Sequence, residues 1–159
     1  MSARSSVRAL IDRIEKGREV LQRIREFYQE YLEEQDLGRR EVPQAIVISD
    51  VLINYYTCLE TLFLRISQFF ENTLTGDRWH QDLLDRMRIE IAGVRQAVIS
   101  DRSYQGLLEL LKFRHFKRYY FEFDHDWDKL EFLQKKLHQA SESLNADLDR
   151  FVAFLQKLG

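Results

Sequence analysis

The sequence predicts an all-α fold, an antiparallel bundle of about five helices, and three observations carry that expectation. Apolar residues recur at three- and four-residue steps along most of the 159 positions, the spacing of one helix face. Only 6 glycines and 1 proline punctuate the chain, too few for many turns. No segment alternates apolar and polar residues as a half-buried strand would, and there is neither an internal repeat nor a low-complexity tract. A chain of this length buries a core without disulfides or metal, so residues 1–159 read as a single domain.

The first helix is expected from Ser6 to about Gln35, where Val7, Leu10, Ile11, Ile14, Leu21, Ile24, Tyr28 and Tyr31 form one stripe between Arg, Glu and Lys. Gly38 suits a helix C-terminus and Pro43 a helix start, which places a loop from Asp36 to about Val42. From Pro43 to Thr73 the apolar residues, Val51 through Phe70, cover more than one face, as in a central helix. Thr75-Gly76-Asp77 is a turn signal, with Asp77 as N-cap of a helix from Arg78 or Trp79 to about Gln96 and a stripe of Leu83, Leu84, Met87, Ile91 and Val94. Ser100 or Asp101 caps a fourth helix, Arg102 to Phe121. Asp124 or Asp126 caps a fifth that runs to Leu158.

Composition narrows the function classes. A net charge of −2 argues against a surface that coats nucleic acid everywhere, while leaving room for a local basic site. The lone cysteine, Cys58, cannot close an internal disulfide. Its apolar helical setting points to a small buried side chain in a reducing compartment. The N-terminus lacks the apolar core of a signal peptide and no apolar run approaches the ~20 residues of a membrane span, so a cytoplasmic protein without a membrane partner is expected.

The densest positive cluster is Lys112, Arg114, His115, Lys117 and Arg118. At about 100° per residue Arg114, Arg118 and Phe121 share a helix face with Lys117 within reach, and two guanidinium forks one turn apart suit successive phosphates. Phe113, Phe116, Tyr119, Tyr120, Phe121 and Phe123 surround them and could stack on unpaired bases. The plainer reading is that these aromatics are core and the basic residues complement a helix C-terminus. The acidic run Glu122 to Asp128 carries no second His/Cys pair and no glycine-bearing calcium loop, so its acids read as caps rather than as metal ligands. His80 reads as part of a helix start and His138 as surface.

At these residues the chain resembles the HepT-like branch of the HEPN superfamily, helical proteins paired with minimal nucleotidyltransferases in toxin–antitoxin modules. The resemblance covers roughly residues 46 to 130. It rests on Asn54-Tyr55-Tyr56-Thr57-Cys58-Leu59-Glu60, Ile66, Gly76, Trp79-His80, Leu83-Leu84, Val98-Ile99-Ser100 and Phe113-Arg114-His115-Phe116. It implies a metal-independent endoribonuclease without cofactor, acting on RNA such as tRNA as a homodimer. Its motif would be an Arg, four intervening residues, a His, one further residue and a Tyr, the Tyr being where the nucleotidyltransferase antitoxin adds AMP.

Here Arg114 takes the Arg position, Tyr119 the His position and Phe121 the Tyr position. A phenol near pKa ~10 can donate a proton but is a poor base at neutral pH. His115, adjacent to Arg114, and His125, with six residues between it and Arg118, are the local imidazoles that could replace the missing one. Catalysis is therefore expected of Arg114 with Tyr119 or His115, and phosphate binding of Lys112, Lys117 and Arg118. Tyr119 or Tyr120 would accept the modification, because Phe121 has no hydroxyl. The other expectation is a catalytically degenerate HEPN subunit that binds the nucleotidyltransferase without cleaving RNA. An unrelated helical adaptor, binding protein through its aromatic surface, is the third.

Overall fold

In the computed structural model, which describes residues 2–71, 74, 76–119 and 125–159 but not the side chains of Arg118 and Tyr119, the described residues form five α-helices and one short 3-10 turn. These are α1 (Ala3–Glu34), α2 (Val42–Phe70), α3 (Trp79–Met87), α4 (Asp101–Tyr119) and α5 (Trp127–Leu158).

Helix α1 starts three residues before the expected Ser6, because Ser2 Oγ accepts from the Ser5 N–H and satisfies an otherwise unpaired donor. It ends at Glu34, as the expected end near Gln35 implies, and Gly38 lies in the 3-10 turn Leu37–Arg39, capped by Asp36. Helix α2 begins with a capping box in which the Glu41 side chain and the Gln44 side chain satisfy each other's backbone, and Pro43 sits in its first turn as the sequence suggested.

Cross-helix pairs give the register. Val7 lies against Gly159, Arg18 Nη2 donates to Asp149 Oδ1 at 2.7 Å and Tyr28 Oη to Gln134 Oε1 at 2.5 Å, so α1 and α5 run antiparallel. Burial pushes the Tyr28 phenol up to about 12, and nearby Arg25 only partly offsets it, so it remains a donor. Helix α2 touches all four other helices. By length and composition it could cross a bilayer, a point the sequence reading missed, and 56% of its most apolar 18-residue window is buried in the bundle.

Helices α4 and α5 are held by a polar latch and a close approach. Ser100 Oγ accepts from the Ser103 N–H and so caps α4, as expected. The buried Asp147 of α5 accepts from Ser100 N at 2.9 Å, Ser100 Oγ at 2.9 Å and Ser103 Oγ at 2.5 Å. Further along, Gly106 faces α5 so closely that a Cβ there would meet Ala140 Cβ at 2.8 Å and the Lys136 carbonyl at 3.0 Å. Gly106→Val is expected to lower stability by about 1–3 kcal/mol by overpacking against backbone that cannot yield, measured as a lower thermal midpoint with an unchanged helical spectrum.

The third helix departs most from expectation. It ends at Met87, not near Gln96, and Arg78 rather than Asp77 is its N-cap, without a side-chain bond. After Met87 the chain turns back so that the Val98 and Ile99 N–H groups both donate to the Met87 carbonyl, at 2.8 and 3.1 Å. Gly93, at φ +76°, makes the turn that a side chain would disfavour. The side chain of Arg95 is fully buried and donates to the carbonyls of Arg86, Ile89 and Gln96 and to Glu71. Ile91 is therefore half-buried and Val94 exposed, not core.

Candidate functional site

Helix α2 supplies a wall for the site through residues one turn apart, Tyr56 and Glu60, with Thr57 beside them. From α4, Arg114 crosses to this wall. Its Nη1 donates to Thr57 Oγ1 at 3.2 Å and Glu60 Oε1 at 3.1 Å, and its Nη2 donates to Glu60 Oε2 at 2.8 Å. The guanidinium carbon stands 5.0 Å from the centre of the Tyr56 ring, a cation–π distance. Burial above all, and secondarily the Glu60 charge, hold the Tyr56 phenol well above the usual tyrosine range against the pull of Arg114. The ring stays neutral beneath the cation.

The third member comes from α3. His80 Nδ1 lies 2.9 Å from Glu60 Oε2 and 3.1 Å from Arg114 Nη2. An arginine can only donate and a carboxylate only accepts. Nδ1 thus stands between an acceptor, Glu60 Oε2, and a donor, Arg114 Nη2: when it donates to Glu60 the ring proton is on Nδ1 and Nε2 is unprotonated, and when it accepts from Arg114 the proton is on Nε2. The Trp79 ring packs on the imidazole with centroids 3.7 Å apart. Side-chain exposure falls from 32% for His80 to 18% for Arg114 and 8% for Glu60. The cluster is buried at its carboxylate and opens at its imidazole.

It opens onto a cleft of about 380 Å³ lined by Asp77, Arg78, His80, Gln81, Leu111, Lys112 and His115. The cleft therefore has two imidazoles and two cations on its walls, from the start of α3 and the outer face of α4. A slightly larger cleft of about 410 Å³ lies along α1 and α5 and includes Arg18 and Arg25. Those arginines are committed to Asp149 and Ser141, and no imidazole lines that cleft, so its chemistry is poorer despite its size.

The sequence-predicted residues divide accordingly. Lys112 and His115 line the cleft, whereas Arg114 turns toward Glu60 and His80 and is not among the lining residues. Lys117 does not line that cleft either; its Nζ lies 3.3 Å from His125 Nε2. Arg114 is not a free fork beside Arg118, because Glu60 already takes both its terminal nitrogens. Of the aromatics expected to stack on bases, Phe113 is buried in the core whereas Phe116 is 53% exposed. The side chains of Arg118 and Tyr119, and all of Tyr120, Phe121 and Phe123, lie outside the described residues. Asp126 caps α5, its side chain accepting from the Lys129 N–H, and Asp124 also lies outside the described residues.

His80 does lie at the start of α3, as read from sequence, but its contact with Glu60 and Arg114, and Glu60 itself as their partner, were not anticipated. His138 is surface, 61% exposed and 3.2 Å from Glu142. Burial raises the Cys58 thiol above its ordinary range, which keeps it protonated and a weak nucleophile.

The described residues form a small all-α bundle in which a carboxylate-held arginine and two histidines that line one cleft are grouped at the α2–α3–α4 end. A family model described as HepT-like protein matches residues 47–155, which spans all of these residues and more than half the chain. The chain belongs to the HepT-like family. The toxin–antitoxin setting of HEPN proteins agrees with that family's name. No curated protein and no solved structure matches the chain significantly.

Proposed function

We propose that the chain is the RNA-acting component of a HEPN-type toxin–antitoxin pair, a metal-independent endoribonuclease that works in the cytoplasm as a homodimer and is silenced by a cognate minimal nucleotidyltransferase. The observation that supports this most is the joining of Arg78, Lys112, His80 and His115, with Asp77, around one cleft, and of Arg114 to His80 behind it. A scissile phosphodiester needs cationic charge for the phosphorane and groups able to exchange protons, and this set provides both without a metal ion. Tyr119 and Tyr120 are the acceptors proposed for the silencing AMP. A mass increment on a tryptic peptide that contains one of them, after incubation with the nucleotidyltransferase and ATP, tests that part.

The test of activity is cleavage of a tRNA pool in EDTA by the purified protein. Arg114→Ala is expected to lower the rate about 100-fold or more, the scale of losing one preorganised charge at a transition state, while Arg39→Ala on the exposed 3-10 turn leaves it unchanged. Absence of cleavage by the unsubstituted protein would contradict the reading. It would favour the second one, a subunit that binds the nucleotidyltransferase and no longer cleaves RNA. That alternative has its own support: Glu60 already neutralises Arg114, and Tyr119 stands at the motif's histidine position. A single-chain mass in solution at micromolar concentration would count against the homodimer.

A further inference from the structure

We infer that His80 is the general base of the cleft, the imidazole that the motif position occupied by Tyr119 no longer supplies; this rests on the ribonuclease reading above. Residues 60, 80 and 114 belong to three helices, yet they meet at single hydrogen-bond distances. Glu60 Oε2 is 2.9 Å from His80 Nδ1, the relation of a carboxylate that orients an imidazole and stabilises its protonated form. In the tautomer that donates from Nδ1 to Glu60, Nε2 is the atom that can accept a proton, and this is the tautomer the proposal requires. Facing groups are Glu60 from α2, Arg114 from α4 and the Trp79 ring from α3, with Asp77, Arg78, Gln81, Lys112 and His115 around the cleft.

The step balances within these residues. The ribose 2′-hydroxyl gives its proton to His80 Nε2 as the 2′-oxygen bonds to phosphorus. The bond from phosphorus to the 5′-oxygen breaks, and that oxygen takes a proton from the His115 imidazolium across the cleft. The products are a 2′,3′-cyclic phosphate and a 5′-hydroxyl. Charge that develops on the non-bridging oxygens falls between Arg78 and Lys112, with Arg114 behind His80. Solvent then returns one proton to His115 and removes one from His80, so no metal and no co-reactant enters.

The test compares the unsubstituted protein with His80→Asn, His80→Ala and Arg114→Ala on a tRNA pool in EDTA, with tRNA affinity and thermal midpoint measured in parallel. Asparagine can still donate an N–H to Glu60, so His80→Asn keeps the local bond and removes only proton transfer. The expected result is at least a 100-fold slower cleavage by both His80 variants, tRNA affinity within about threefold, and recovery of His80→Ala by added imidazole. Cleavage by His80→Asn at the full rate while Arg114→Ala is inactive overturns the role of His80 and leaves the ribonuclease reading standing. Loss of tRNA affinity in His80→Asn, with no rescue by imidazole, overturns it in favour of a structural histidine. An inactive unsubstituted protein overturns both.

Discussion

Glu60→Ala is expected to destabilise the protein by about 3–5 kcal/mol, the cost of leaving a buried charge without its partner. Glu60 is 8% exposed and Arg114 18% exposed at the side chain, so solvent cannot take over the lost contacts. Two of the three acceptors of the Arg114 guanidinium's Nη groups on α2 disappear together, and His80 loses the carboxylate at its Nδ1. The contrasting variant is the double replacement Glu60→Leu with Arg114→Met. Removal of both charges eliminates the desolvation penalty along with the attraction, and stability is expected to return to within about 1–2 kcal/mol of the original. Urea unfolding of the three proteins checks this. A double variant as stable as the original but inactive on RNA would mean that the ion pair is kept for chemistry rather than for folding.

Asp147→Ala carries the next largest effect, a loss of about 2–4 kcal/mol. Asp147 is 2% exposed, and its Oδ2 accepts from Ser100 N, Ser100 Oγ and Ser103 Oγ. Hydrogen bonds to a charged group contribute about 1.5–3 kcal/mol each in the strongest cases, and the carboxylate also sits at the positive end of the α4 dipole. Alanine leaves these buried donors short of a partner. Asp147→Asn keeps one acceptor oxygen and should cost roughly half as much. Amide exchange should show the loss first at Ser100 and Ser103, then along α4, the helix that carries Arg114.

Periodicity made the long helices legible. Of the stripe expected on α1, Val7, Leu10, Ile14, Leu21 and Tyr28 are buried while Ile11, Ile24 and Tyr31 are half-buried, and α5 likewise buries Leu130, Leu133, Leu137, Leu144, Leu148, Phe151 and Leu155 at helical spacing. The same signal failed after Met87, because Ile91 and Val94 extend the spacing of α3 while a buried Arg95 and a positive-φ Gly93 turn the backbone away. Arg95 satisfies three carbonyls through contacts that have no helical period, so no one-dimensional pattern announces it.

The site was half legible for a related reason. A cluster of positive charge on one helix is visible in sequence, which is how Arg114, His115 and Lys112 were singled out as candidates. Glu60 and His80 lie 54 and 34 residues from Arg114 and looked ordinary in their own segments, an acid on an apolar helix and a histidine beside a tryptophan. The one local clue was Glu60 itself, a charge within the most apolar helix of the chain, where an acid stays buried only if paired. Phe113 bears out the plainer of the two readings: although it adjoins a basic residue, its helical phase turns it into the core.

The account rests most heavily on RNA entering the cleft between α3 and α4. Imidazole NMR spectra of the isotope-labelled protein, titrated with a 2′-O-methyl RNA stem-loop that cannot be cleaved, test this directly. The expected result is a joint, saturable shift of the His80 and His115 signals with His138 unmoved. Saturating RNA that leaves His80 and His115 in place would contradict it.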